Sequence, residues 1–104
     1  MDFSLGQVVT TRGVAEVYKQ HKLFFGFINK CLQRHKKQDW GDTSEEDMIS
    51  NDYAIMEGSR VVSVYKFPIG HSLGTERDRI WIITEAVGES GLRASTCILF
   101  PDEY

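Results

Sequence analysis

The sequence predicts an α+β domain, with three N-terminal helices packed on a C-terminal antiparallel three-stranded meander and the run 7–10 available as a fourth short strand at the N-terminus. Three observations predict it. Apolar residues recur with a helical period up to residue 57 and with a period of two from residue 60 onward. Gly41, Gly58 and the Pro- and Gly-containing run 68–78 fall between periodic segments, where turns belong. Helices precede strands instead of alternating with them, which argues against a doubly wound parallel sheet. No repeat, linker or low-complexity run divides the chain, so residues 1–104 are expected to form a single domain.

The opening run 5–10 is apolar and rich in β-branched residues, a strand or extended lead-in. Thr11 stands where an N-cap belongs, and Val14, Val17 and Tyr18 give the first helix an inward stripe up to Gln20. The second helix runs over 23–37, with Phe24, Phe27, Ile28, Cys31, Leu32 and His35 on one face. Arg34, His35, Lys36 and Lys37 fill its last turn, where the helix dipole favours cations, and Gly41 is the expected stop. Thr43 or Ser44 then caps a third helix, with Thr43 and Glu46 at capping-box spacing and Glu45, Glu46 and Asp47 in the first turn. Its inward residues are expected to be Met48, Ile49, Ile55 and Met56, and Gly58 closes it in the left-handed region. The strands are 60–67, with Val61, Ser63, Tyr65 and Phe67 on one face, then 79–85 and 94–100. The middle one, with Ile80, Trp81, Ile82 and Ile83, is apolar enough to be covered on both faces.

Residues 1–38 hold seven Lys or Arg against two acids, a net +5, and residues 39–104 hold five against thirteen, a net −8, giving −3 overall. Such polarity steers partners of either sign, or pairs one half with the other. Residues 1–5 show neither a basic region nor an apolar run, so no secretory signal is expected. The longest uncharged stretch, 23–29, is far short of the ~20 residues of a membrane span. Cys31 and Cys97 fit neither a disulfide framework nor metal-ligand spacing, which reads as a cytoplasmic protein with two reduced thiols.

Several segments carry a resemblance. They are Leu5-Gly6-Gln7-Val8-Val9, Asp39-Trp40-Gly41-Asp42 followed by Ser44-Glu45-Glu46-Asp47, and Asn51-Asp52. Further along are Arg60-Val61-Val62-Ser63-Val64-Tyr65, Trp81-Ile82-Ile83-Thr84-Glu85-Ala86 and Ile98-Leu99-Phe100-Pro101-Asp102-Glu103-Tyr104. Through nearly its whole length the chain resembles a small family of bacterial plasmid-related proteins of about a hundred residues, found in plasmids and mobile elements. It departs from the family pattern at 68–78, a longer hairpin, and at 87–93. The resemblance implies an accessory bacterial gene and supplies no reaction.

Five sets of residues bear on chemistry. Asp39, Asp42, Glu45, Glu46 and Asp47 could present an acidic face to a protein, although they lack the spacing of an EF-hand loop. Trp40 beside them is a candidate for the same protein contact, with a buried anchor for the loop as the alternative. Lys30, Arg34, Lys36 and Lys37 could contact nucleic-acid phosphates, against an acidic overall balance. Cys31 and His35, four apart on one helix, could touch, but the thiol sits on the core stripe, where thiols are inert. Glu85 leaves the end of the most buried strand and could pair with Asp42 as an acid/base couple if one pocket joined them. The run 70–74 lacks the Gly-Lys-Ser/Thr of a phosphate loop, and His71 within it is expected to be exposed. Neither cofactor nor metal is expected.

Three helices have too little surface to cover both faces of the sheet, so a residual apolar patch around Trp81 is expected, of the kind that marks a partner or self-association surface. The reading is a non-enzymatic protein-binding accessory protein of bacterial mobile DNA, a regulator or inhibitor acting through the acidic loop or the open sheet face. Homodimerisation fits the same patch. The alternatives are a nucleic-acid-associated module using the basic end of helix 2, and a small enzyme using carboxylates.

Overall fold

The computed structural model describes residues 3–67 and 77–104. Most of the long loop expected at 68–78, with His71 and the run 70–74, lies outside the described residues. The elements are β1 (Gln7–Thr10), α1 (Arg12–Gln20), α2 (Lys22–Lys36), α3 (Glu45–Glu57), β2 (Val61–Lys66), β3 (Arg79–Thr84) and β4 (Ser95–Leu99), followed by a 3-10 turn at Pro101–Glu103.

The class is α+β, with three helices on a four-stranded sheet of order β1-β4-β3-β2. The expected meander is present, with β2–β3 and β3–β4 antiparallel. Two points of the expectation are corrected. The helices are not all N-terminal to the strands, because β1 comes before them, and the sheet is mixed, because β1 pairs in parallel with β4 from Gln7↔Ser95 to Thr10↔Ile98. A parallel partner requires a long crossover, and here the three helices and the meander supply it.

One face of the sheet carries Val61, Ser63, Tyr65, Ile80, Ile82, Thr84, Thr96, Ile98 and Phe100, all buried. α1 and α2 cover it. Val14 of α1 and the α2 stripe of Phe24, Ile28, Cys31 and His35 are buried against it, with Phe27 and Leu32 partly so. A second, smaller core joins Trp40, Ala54 and Val61 with Phe3, Met48 and Ile55.

Helix ends show where local signals succeed. Thr11 occupies the N-cap position of α1, but the capping oxygens come from the other end of the chain. Glu103 accepts from Thr11 Oγ1 at 2.6 Å and from the Gly13 amide at 2.9 Å. α2 stops before Gly41. Gln38 takes the left-handed conformation at φ 66, and the Asp39 amide reaches back to the Arg34 carbonyl at 2.9 Å, a Schellman closure that needs no glycine. Arg34 fastens it by a two-pronged pair to Asp39, at 2.8 and 3.2 Å. At α3 the cap is Ser44, whose Oγ accepts from the Asp47 amide at 3.2 Å, and not Thr43. Gly58 ends α3 in the left-handed region as expected.

The inward face of α3 differs from the expectation. Met48 and Ile55 do point inward, but Asn51 and Ala54 are its buried residues, while Ile49 and Met56 face solvent. The reason is the helix's position at the sheet edge. An edge strand presents unpaired main-chain groups, which an apolar side chain cannot satisfy. Asn51 satisfies them, donating to the Val62 carbonyl at 2.8 Å and accepting from the Val62 amide at 3.2 Å. The segment around Gly41 continues along the same edge. Asp42 donates its amide to the Val64 carbonyl at 2.6 Å, and its carboxylate accepts from the Lys66 amide at 2.9 Å. Gly41 has φ 68, and a Cβ there would collide with the Val64 carbonyl and the Tyr65 ring, so this approach requires glycine.

Candidate functional site

The alternation of β2 and β3 turns Val62, Val64, Trp81 and Ile83 away from α1 and α2, onto the opposite face of the sheet. The C-terminal turn covers part of this face, and the Tyr104 ring meets the Trp81 indole edge-on at 5.6 Å between centroids. Arg60 reinforces the cover, lying 5.2 Å from the Tyr104 ring and donating to its hydroxyl at 2.7 Å. What stays open is a cleft of about 590 Å³ with Val64 and half-buried Trp81 in its floor.

The acidic loop forms one wall. Asp42, Thr43, Ser44 and Asp47 line the cleft together with Arg77, Asp78, Arg79, Pro101 and Asp102. An adjoining hollow of about 360 Å³ shares Thr43, Asp47, Val64 and Trp81 with it. Both arginines are committed to carboxylates in two-pronged pairs, Arg77 to Asp102 at 2.9 and 3.0 Å and Arg79 to Asp78 at 2.8 and 2.9 Å. These pairs hold the Asp102 and Asp78 carboxyls below their usual range. Four carboxylates against two guanidiniums leave the cleft net negative, and the surplus sits on the Asp42 and Asp47 side. Thr43 Oγ1 is buried in this wall without a hydrogen-bond partner among the described residues.

The acidic loop and the open sheet face, read in the sequence as separate surfaces, therefore meet in one concavity at Asp42, Asp47 and Trp81. The other acidic residues lie apart from its lining. Asp39 pairs with Arg34, while Glu45 and Glu46 are exposed on the first turn of α3. Trp40, a candidate for the same contact, is instead buried and donates its indole N–H to Asp52 at 2.9 Å, which makes it an anchor and not a contact residue. Of the basic residues, Lys30 and Lys37 are exposed. Arg34 is held by Asp39 and lies 5.0 Å from the Tyr65 ring, and Lys36 is half-buried.

Asp42 and Glu85 stand well apart on the sheet. Asp42 bonds to Lys66 and Val64, toward one end of the β2–β3 ladder, and Glu85 follows Thr84 at the other end, opposite Val61. Five residue steps at ~3.3 Å each put them roughly 16 Å apart, beyond the reach of an acid/base couple. Among the described residues, no three His, Cys, Asp or Glu side chains gather in a way that could hold a metal ion, and no helix is long and apolar enough to cross a membrane.

The polar feature least visible in the sequence lies under the opposite face. Thr96 Oγ1 donates to the Leu5 carbonyl at 2.7 Å, so it must accept from Thr84 Oγ1, also at 2.7 Å. Thr84 has then spent its proton and accepts from His35 Nε2 at 2.8 Å. Nδ1 is left as an acceptor for the Ser63 hydroxyl. The chain of donors puts a proton on Nε2, and burial, helped by Arg93, pushes the pKa down to about 4, so at neutral pH the ring is the neutral Nε2–H tautomer. With both ring nitrogens engaged, neither is available to Cys31, whose thiol burial raises to about 12. Arg93 is likewise buried, its guanidinium donating to the Ser59, Glu85 and Ala54 carbonyls at 2.6, 3.0 and 3.2 Å.

No family model, curated protein or solved structure matches this chain.

Proposed function

We propose that this chain is a non-enzymatic, cytoplasmic protein-binding module, a regulator or inhibitor belonging to bacterial mobile DNA. The resemblance to plasmid-related proteins supports the genetic setting. The observation that carries the binding role is the junction of Asp42 and Asp47 with the half-buried Trp81 in one net-negative cleft. Such a cleft suits a protein segment presenting Lys or Arg, with the alkyl stem or guanidinium plane lying on the indole and the charge between the carboxylates. An aromatic floor with a charged rim is the arrangement in which a few residues supply most of the binding energy.

The test is capture from bacterial lysate on the immobilised protein, with and without nuclease, comparing wild type with Trp81→Ala and with Asp42→Asn/Asp47→Asn. A stoichiometric protein that survives nuclease and is lost with both variants supports the reading. Capture unchanged in both variants overturns the site. Recovery of nucleic acid alone overturns the function and moves the contact to Lys30, Arg34, Lys36 and Lys37, where binding would fall steeply with salt.

A further inference from the structure

The solvent side of α3 carries a second surface, separate from the cleft. Ile49, Tyr53 and Met56 are 58, 61 and 83% exposed, while Met48, Asn51, Ala54 and Ile55 on the opposite side hold the helix to the sheet. The spacing of the exposed residues, i, i+4 and i+7, sets them in one line along the helix, the d–a–d spacing of a heptad seam. The sequence of α3 holds five acids and no base. At 100° per residue, Glu45 and Asp52 fall on one side of the apolar line and Glu46 and Glu57 on the other. The two rims of the seam are therefore both acidic.

We infer that this face of α3 docks a basic amphipathic helix of a partner protein. An apolar line of this length presented to water suits a helical partner with matching anchors. Charge selects the kind of partner. A second copy would bring α3 against α3, carboxylate against carboxylate along both rims, which the seam disfavours. A helix with Lys or Arg at the positions flanking its own apolar seam meets an opposite charge on each side. The inference does not depend on the cleft, since Trp81, Asp42 and Asp47 lie outside the seam.

The test uses the full chain and a synthetic three-heptad peptide with Leu at a and d and Lys at e and g, beside a composition-matched scramble without a seam. Fluorescence anisotropy at near-physiological salt should give the seam peptide an affinity at least about tenfold tighter than the scramble. Ile49→Ser and Met56→Ser replace exposed residues and leave the core intact, and each should remove most of that preference. Trp81→Ala should leave it unchanged, so failure here and failure of the cleft reading are separable. Equal affinity for both peptides, or a preference that survives both seam variants, overturns the inference as mere charge attraction. Concentration-dependent dimerisation lost in Met56→Ser, without peptide binding, overturns it in favour of a second copy.

Discussion

Lowering the pH from about 7.5 to about 5 should destabilise this fold by about 2 kcal/mol through one imidazole. His35 is fully buried, with Ser63 and Thr84 on its nitrogens, Phe3 and Trp40 against its ring at 5.3 and 5.6 Å, and the Arg93 guanidinium nearby. In the unfolded chain it takes a proton near its ordinary 6.5, and in the folded state only near 4. Between those values the unfolded state binds the extra proton, so stability is complete above about 6.5 and falls with pH until about 4. At ~1.36 kcal/mol per pH unit, the span from 6.5 to 5 gives the stated figure, and the whole interval gives about 3 kcal/mol. The Asp39 and Glu103 carboxyls, both held low, add their own loss further down, as pH falls through their unfolded values of 3.8 and 4.5. The interval from 6.5 to 5 therefore isolates the histidine. Urea unfolding followed by tryptophan fluorescence should show a midpoint lower by about 0.7–2 M at pH 5, for an m-value on the order of 1–3 kcal/mol/M. His35→Gln should flatten that dependence. Long-range ¹H–¹⁵N correlation on the wild type should show the neutral Nε2–H tautomer still present at pH 5.5. An unchanged wild-type midpoint, or an imidazolium signature in the folded protein at that pH, would refute the reasoning.

Three further outcomes are expected. Asn51→Ala strips both hydrogen bonds from Val62 and should cost about 2–3 kcal/mol, a melting midpoint lower by roughly 10 °C in a calorimetric scan. Arg93→Lys keeps the charge but loses the fork that spans three carbonyls, so it should be destabilising by about 2–3 kcal/mol in urea titrations, and wild-type stability in this variant would contradict the assigned role. In the native protein at pH 8, timed alkylation read by mass spectrometry should modify half-buried Cys97 well before Cys31, with both reacting alike in denaturant.

What the sequence disclosed was what its local patterns encode. The α2 stripe from Phe24 to His35 and the alternation of Val61, Ser63 and Tyr65 both mark which side is inward, and the structure follows both. The parallel pairing of β1 with β4 joins opposite ends of the chain, and no local period announces such a partner. Apolarity alone does not mark the inward side of α3, because its contact with the β2 edge is made through hydrogen bonds and selects Asn51. The His35 network left a usable trace, since Ser63, Thr84 and Thr96 are polar residues at inward positions of three adjacent strands, and such positions call for a shared polar partner. Arg93 left none, because an arginine beside Gly88 and Gly91 looks like an exposed turn. The candidate cleft was half legible. Its acidic residues and Trp81 stood out individually, but their meeting depends on the loop lying along the β2 edge.

The pairing of β1 with β4, and the three bonds from Glu103 to Thr11, Gly13 and the Phe100 amide, have a consequence for biosynthesis. Translation delivers β1 well before its partner strand, and the carboxylate that caps α1 follows Thr11 by 92 residues. Until then the β-branched run at Val8 and Val9 stays unpaired and α1 lacks the acceptor for its first turn. Closure of the sheet therefore waits for β4, and it joins segments separated by the three helices and the β2–β3 hairpin. A product truncated before residue 95 retains α2 and the β2–β3 hairpin but presents an open strand edge to proteases and to other chains.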